Sequence, residues 1–326
     1  MNNITNAQNP FYGQYHTPHE TVPFDRIETE HYEPAILEGI KLQNAEIEAI
    51  IQNPEKADFT NTIEAFEESG ELLDKVVAVF GNMLSAETND DLQELAQKIM
   101  PLLSEHSNNI TLNKKLFARV KEVYNQKETL QLTQEQKQLL ENAYNSFIRH
   151  GSNLEGEARE EYRRLTTELS KLTLTFSENN LKETNAYHML LTKKESLAGL
   201  PDIIIEAAAA TAKNEEKEGW AFTLHAPSYI PFMTYSDNRD LRQKLYMAYN
   251  TKCTHDNEFN NIDIVKKIAN TRMKIAQLLG YKDYAEYTLK KRMAENSKSV
   301  YKLLNQLLEA YTPTAQQEYK EIQELA

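Results

Sequence analysis

Apolar residues recur at three- and four-residue steps through most of the chain, the repeat that lines one face of an α-helix. Ile36, Leu37, Ile40, Ile47 and Ile51 make a first such face, with Pro34 placed to open the helix at its first position and Asn53-Pro54 to stop it. Ile63, Phe66, Gly70, Leu73, Val77, Phe80 and Leu84 make a second, preceded by Asn61 and Glu64 at capping-box spacing. The pattern resumes over 91–124 and 134–150. Between 157 and 181 the seam Tyr162, Leu165, Leu169, Leu172 and Phe176 predicts a hairpin helix that packs on its neighbours, because it spans too few heptads for a free coiled coil.

The period changes after residue 185. Tyr187, Met189 and Leu191 alternate with other residues, as do Trp220, Phe222 and Leu224, so two short strands are expected, their mutual sense left open. Between them Pro201 starts a helix rich in alanine, and Pro227 and Pro231 brace what reads as a stiff loop. Helix returns over 241–249, over 262–279 with Gly280 as its C-terminal cap, near Tyr284, and over 298–311, and 314–326 is helix-forming to its last residue. The expected organisation is therefore an extended Pro/Gly-bearing arm over 1–33, helical hairpins over 34–184, and a small β element followed by helices over 185–326. The expected fold class is mainly α with a two-strand β element.

Composition agrees with this pattern and narrows the chemistry. Nine glycines and ten prolines in 326 residues are few, which favours helix. A formal charge of −13 repels nucleic acid and anionic membrane surfaces, so neither is expected as a partner. The single cysteine, Cys253, excludes an internal disulfide and a multi-cysteine metal site. The opening Met1-Asn2-Asn3-Ile4-Thr5-Asn6-Ala7 has neither a basic start nor an apolar run, and no stretch approaches the ~18 apolar residues that span a bilayer, so a cytoplasmic location is expected.

Catalytic constellations are missing where they would be legible. A zinc peptidase of the HExxH type needs two histidines one helical turn apart and a glutamate beside them, and no pair among the eight histidines has that spacing. His19-Glu20 is followed by Thr21-Val22-Pro23, which lacks the second ligand and opposes a helix. There is no GxSxG elbow or glycine-rich phosphate loop, and Cys253 carries no nucleophile signature. The richest segment is His225-Ala226-Pro227-Ser228-Tyr229-Ile230-Pro231-Phe232-Met233-Thr234-Tyr235, whose imidazole and hydroxyl-bearing aromatics suit the wall of a peptide-binding groove. His225, Tyr229 and Tyr235 are the candidate substrate contacts; the alternative is a proline-braced turn that buries Phe232 and Met233.

The order of several short motifs resembles the peptidyl-dipeptidases (dipeptidyl carboxypeptidases) of the thimet oligopeptidase type. They are Asn9-Pro10-Phe11, Pro23-Phe24-Asp25-Arg26-Ile27, His31-Tyr32-Glu33-Pro34-Ala35, Asp58-Phe59-Thr60-Asn61-Thr62, Ser69-Gly70-Glu71-Leu72-Leu73 and Leu197-Ala198-Gly199-Leu200-Pro201. The series continues with Pro227-Ser228-Tyr229, Met233-Thr234-Tyr235, Asp237-Asn238-Arg239, Leu241-Arg242, Leu278-Leu279-Gly280-Tyr281 and Met293-Ala294. The resemblance implies the N-terminal half of a bipartite, channel-forming zinc metallopeptidase that removes dipeptides from the C-terminus of short unfolded peptides. It implies that zinc and its HExxH ligands sit in the parent's own C-terminal catalytic domain, that the present segment stops before that domain, and that this segment binds no metal, holds no catalytic residue and is inactive alone. The competing expectation is a non-catalytic helical scaffold or protein-binding module.

Overall fold

A computed structural model of the chain describes residues 9–325; the first eight residues of the expected arm and Ala326 lie outside the described residues. The molecule is mainly α-helical with one two-strand sheet. It divides into two compact units, one of Met1–Thr88, Pro101–Glu168 and Asn270–Ala326, the other of Asn89–Met100 and Leu169–Ala269.

In the first unit the arm forms three short 3-10 turns, at Pro10–Tyr12, Pro18–Glu20 and Phe24–Arg26. Phe11 is fully buried and its ring meets Tyr32, which in turn meets Phe80, with centroids 5.4 and 5.2 Å apart. Helix α1 (Thr29–Gln52) starts five residues before Pro34, which therefore does not open it. The reason is local: the His31 ring accepts a hydrogen bond from the Glu28 N–H at 2.9 Å, capping the helix upstream, so Pro34 forfeits a single later bond instead of a turn.

The next stretch also departs from the expected continuous seam. Asp58, not Asn61, is the cap: its carboxylate accepts from the Asn61 N–H at 2.7 Å while the Asn61 side chain accepts from the Asp58 N–H at 3.0 Å. A π-helical turn (Phe59–Glu64) and a single turn α2 (Ala65–Glu67) follow, and the chain then breaks at Gly70 before α3 (Glu71–Ala86). Gly70 has φ +86°, and a Cβ there would lie 2.2 Å from the Gln43 amide nitrogen, so the corner requires glycine twice over. Beyond it α3 lays Leu73, Val76, Val79 and Phe80 into the core, and α1 is its main helical neighbour.

The pattern over 91–124 resolves into α4 (Asp90–Thr111) and α5 (Lys114–Asn125) because Asn113 caps α5, accepting from Lys115 and Leu116 at 3.0 and 3.1 Å. Helices α6 (Gln134–Arg149) and α7 (Gly156–Ala186) follow as the periodicity predicts. Ile47, Ile63, Leu116, Val120, Leu140 and Phe147 form a buried cluster, with Phe117 stacked on both Tyr144 and Phe147. His106 is buried 2.7 Å from Gln43 Oε1, while Gln43 donates to the Ser69 carbonyl at 3.2 Å.

In the second unit β1 (His188–Leu191) pairs antiparallel with β2 (Trp220–Thr223), in the register Met189 opposite Phe222 and Leu191 opposite Trp220. Met189 and Leu191 face inward while Leu190 faces out, the alternation visible in the sequence. Helix α8 (Asp202–Asn214) connects the strands and packs on β2. Helices α9 (Ala226–Tyr235) and α10 (Arg239–Asn250) follow in this unit; α11 (Ile262–Leu278) begins in it and ends among the residues of the first, to which α12 (Tyr284–Leu289) and α13 (Ser297–Leu325) belong. Among the described residues no helix is long and apolar enough to cross a membrane.

Candidate functional site

The segment read as a stiff loop over 225–235 is helix α9, and this corrects the sequence reading. Pro227 lies in the first turn, where its missing N–H is an orphan in any case, and Pro231 forfeits only one interior bond. The loss is offset by burial: Phe232 is fully enclosed, its ring edge-on to Phe222 at 4.6 Å, in a core shared with Leu200, Leu245 and Met189.

The polar residues around α9 build its ends. The Ser228 hydroxyl accepts from the Thr223 N–H at 3.0 Å, tying the helix to β2. At the other end Ser236 is buried, Arg242 donates to the Ser236 carbonyl, and Asn238 caps α10 by accepting from Leu241 at 3.1 Å. Asp237 donates its N–H to the Ala198 carbonyl at 2.9 Å. Gly199 has φ +86°, and a Cβ on it would lie 2.2 Å from the Tyr235 carbonyl oxygen. The Leu197-to-Pro201 motif and the Tyr235-to-Arg242 motif therefore meet as one joint.

The three candidate residues are not converged on a single point. His225 precedes the helix and bonds through both ring nitrogens, Nδ1 to the Thr223 hydroxyl at 3.2 Å and Nε2 to Asn185 Oδ1 at 3.1 Å. An amide oxygen only accepts, so Nε2 is the donor in the bond to Asn185. Tyr229 stacks on Tyr249 with centroids 4.1 Å apart and planes 19° from parallel. Burial holds its hydroxyl above the usual tyrosine range, against the opposing pull of a hydrogen bond with Asn250. Tyr235 is 52% exposed and, at roughly 100° per residue, projects roughly 120° around the helix from Tyr229. Ile230, Tyr246 and Met247 are also half exposed on α9 and α10, and of these Ile230 is the one that a helical projection of 226–235 would have added to the candidates.

Nearby in the same unit, Cys253 sits at φ +58° in the turn after α10, its N–H and the side chains of His255 and Asn257 gathered on the Glu183 carboxylate. Burial and then Glu183 push the thiol up to about 11, so it stays protonated at neutral pH and is no nucleophile. In the other unit a recess of about 820 Å³ lies beside the arm, walled by Tyr12, Tyr15, Glu38, Leu42, Glu71 and Lys75. Lys75 is committed within it, donating to the Gly13 carbonyl at 2.9 Å and lying 4.1 Å over the Tyr15 ring. Among the described residues no group of three or more His, Cys, Asp and Glu side chains is placed to hold a metal ion.

Residues 232–326 match the family model described as Peptidase family M3. The chain is 33% identical to the dipeptidyl carboxypeptidase of Escherichia coli over 318 residues, covering 97% of this chain and 47% of that protein. It is 31% identical to oligopeptidase A of Haemophilus influenzae, covering 92% of this chain and 44% of that protein. A probable cytosolic oligopeptidase A of Arabidopsis thaliana is 28% identical over 99% of this chain. The chain thus spans just under half the length of the relatives it matches. The resemblance drawn from the ordered motifs is borne out, and the relationship is to oligopeptidases and dipeptidyl carboxypeptidases.

Proposed function

We propose that this chain is the N-terminal wall of the substrate channel of a zinc metallopeptidase that releases dipeptides from the C-termini of short, unfolded peptides. The supporting observation is similarity to a dipeptidyl carboxypeptidase along 97% of the chain. The donor set described above does not fit a zinc site, so in this reading the metal belongs to the other half and no chemical step is assigned to the present residues. Their contribution is enclosure: a second wall orients an extended peptide and excludes water from the reacting bond. By itself the chain is inactive in this reading.

Within that wall Tyr235 is the candidate substrate contact with a free ring face, whereas His225 and Tyr229 act through the shape and rigidity of the α9–α10 hairpin. The test is reconstitution with a zinc-bearing half of the family and assay of C-terminal dipeptide release. Tyr235→Phe is expected to raise KM or lower kcat by a few-fold with the thermal midpoint unchanged, since a lost substrate hydrogen bond is worth about 0.5–1.5 kcal/mol. Kinetics identical to the parent would reduce Tyr235 to a surface residue, and an active reconstituted enzyme that spares dipeptides and cuts internally would replace the dipeptidase reading with an oligopeptidase one.

A further inference from the structure

The arm, α1 and the start of α3 enclose the recess of about 820 Å³, a volume within the roughly 300–1,000 Å³ of small-ligand sites. Part of its lining is apolar: the Tyr12 ring, Leu42 and Leu72. Leu42 is 42% exposed, so apolar surface stays open to a ligand. The charges of the lining are lopsided, with Glu20, Glu38 and Glu71 against a single cation, Lys75. Lys75 is already committed to the arm, donating to the Phe11 and Gly13 carbonyls at 3.3 and 2.9 Å with its ammonium over the Tyr15 ring. Glu38 is paired with Lys41 at 2.9 Å, whereas among the described residues Glu20 and Glu71 form no ion pair. Uncompensated negative charge therefore lies beside open apolar surface.

The arm is held along this space at a conformational cost. His16, His19 and Glu20 have φ of +52°, +59° and +55°, left-handed values that side chains disfavour, and the Tyr15 hydroxyl is buried without a partner. Such departures persist where the surrounding structure imposes them, and here the bonds from Lys75 do so. Their concentration in one short segment points to a use for the shape they maintain.

From the shape and the charges together we propose that the recess binds a basic side chain of a peptide, its apolar stem against Tyr12, Leu42 and Leu72 and its cationic head among Glu20, Glu38 and Glu71. Arginine fits this lining better than lysine, because its planar head lies flat on a tyrosine ring while its N–H groups fork toward a carboxylate. Lys75 over Tyr15 is the chain's own instance of a cation on that wall. The site lies wholly in the first unit and takes no part in the channel-wall reading, so each survives the failure of the other.

The test titrates the full present chain with an acetylated, amidated peptide of one arginine flanked by two alanines on each side, and with the same peptide carrying citrulline, which keeps the shape and removes the charge. Calorimetry is expected to give one site, at least ~10-fold weaker for citrulline, with salt weakening the arginine peptide alone. Glu38→Gln with Glu71→Gln should weaken the arginine peptide ~10-fold and leave the citrulline peptide unchanged. Leu42→Ser should weaken both by a few-fold. An unchanged circular dichroism spectrum and melting curve establish that the variants fold. On the unaltered chain, the arginine peptide should protect backbone amides of 11–15 and 71–75 from exchange. Equal affinity for the two peptides, no binding of either, or protection confined to other segments overturns the site. So does a double variant that binds the arginine peptide undiminished. Spermidine binding as tightly as the arginine peptide overturns it too, because charge alone would then be recognised without the apolar lining.

Discussion

Helices α3 and α13 carry the same kind of seam and meet opposite fates. In α3, Leu73, Val76, Val79 and Phe80 are buried, with Phe80 fully enclosed against Tyr32. In α13 residues at the same spacings stand in solvent. Periodicity states which side of a helix needs covering, and it is silent on what covers it. For α3 the cover is α1, approached through the corner at Gly70 between α2 and α3, where the chain takes a left-handed conformation that L side chains resist and passes against Gln43 of α1. For α13 no cover exists among the described residues.

Three measurements can break or sharpen this contrast. The largest effect is expected from truncating the two seams in parallel. Phe80→Ala should cost about 3–5 kcal/mol of unfolding free energy by urea titration, while Leu308→Ala should stay within about 0.5 kcal/mol. Comparable costs would mean that α13 is packed in solution and would end the comparison. A smaller loss is expected at the corner that gives α3 its partner: Gly70→Ala must hold φ near +86° and displace Gln43, at a cost of about 1–3 kcal/mol. A neutral result would show that the corner relaxes and that the α1–α3 pairing does not depend on it.

The smallest effect is a pH slope from the same corner. Burial holds the His106 imidazole below its usual range, so the unfolded chain binds more protons than the folded one between the folded value and about 6.5. Its stabilising contribution is complete above about pH 6.5 and is lost progressively as pH falls through that window, at no more than about 1.4 kcal/mol per pH unit. His106→Gln keeps a donor for Gln43 and should flatten this part of the stability profile; an unchanged slope would place the titration elsewhere.

Much of the fold was legible because local signals are strong where they are self-contained. The helices over 134–150 and 241–249 and the alternation at Met189 and Leu191 follow from residue type and spacing alone, whereas the break that Asn113 makes in the continuous pattern over 91–124 came only with the structure. Errors arose where a nearby competitor overruled a general rule. Pro34 is a good first helical residue, but the His31 ring had already capped the chain upstream. Prolines spaced as in Pro227 and Pro231 read as a loop until the burial of Phe232 is known, because that burial outweighs one missing backbone bond.

The candidate site divides in the same way. The segment around His225, Tyr229 and Tyr235 stood out in composition alone, and so did the lack of paired histidines for a metal. The sequence by itself determined most of the helical stretches and which of their faces are apolar, since both depend on residue type and spacing, but not the helix over Ala226–Tyr235. Only the tertiary structure decided the antiparallel sense of the strands, the commitment of both His225 nitrogens to Thr223 and Asn185, and the stacking of Tyr229 on Tyr249. It alone separated the covered seam of α3 from the bare seam of α13, because burial is a property of what the rest of the chain brings alongside a face.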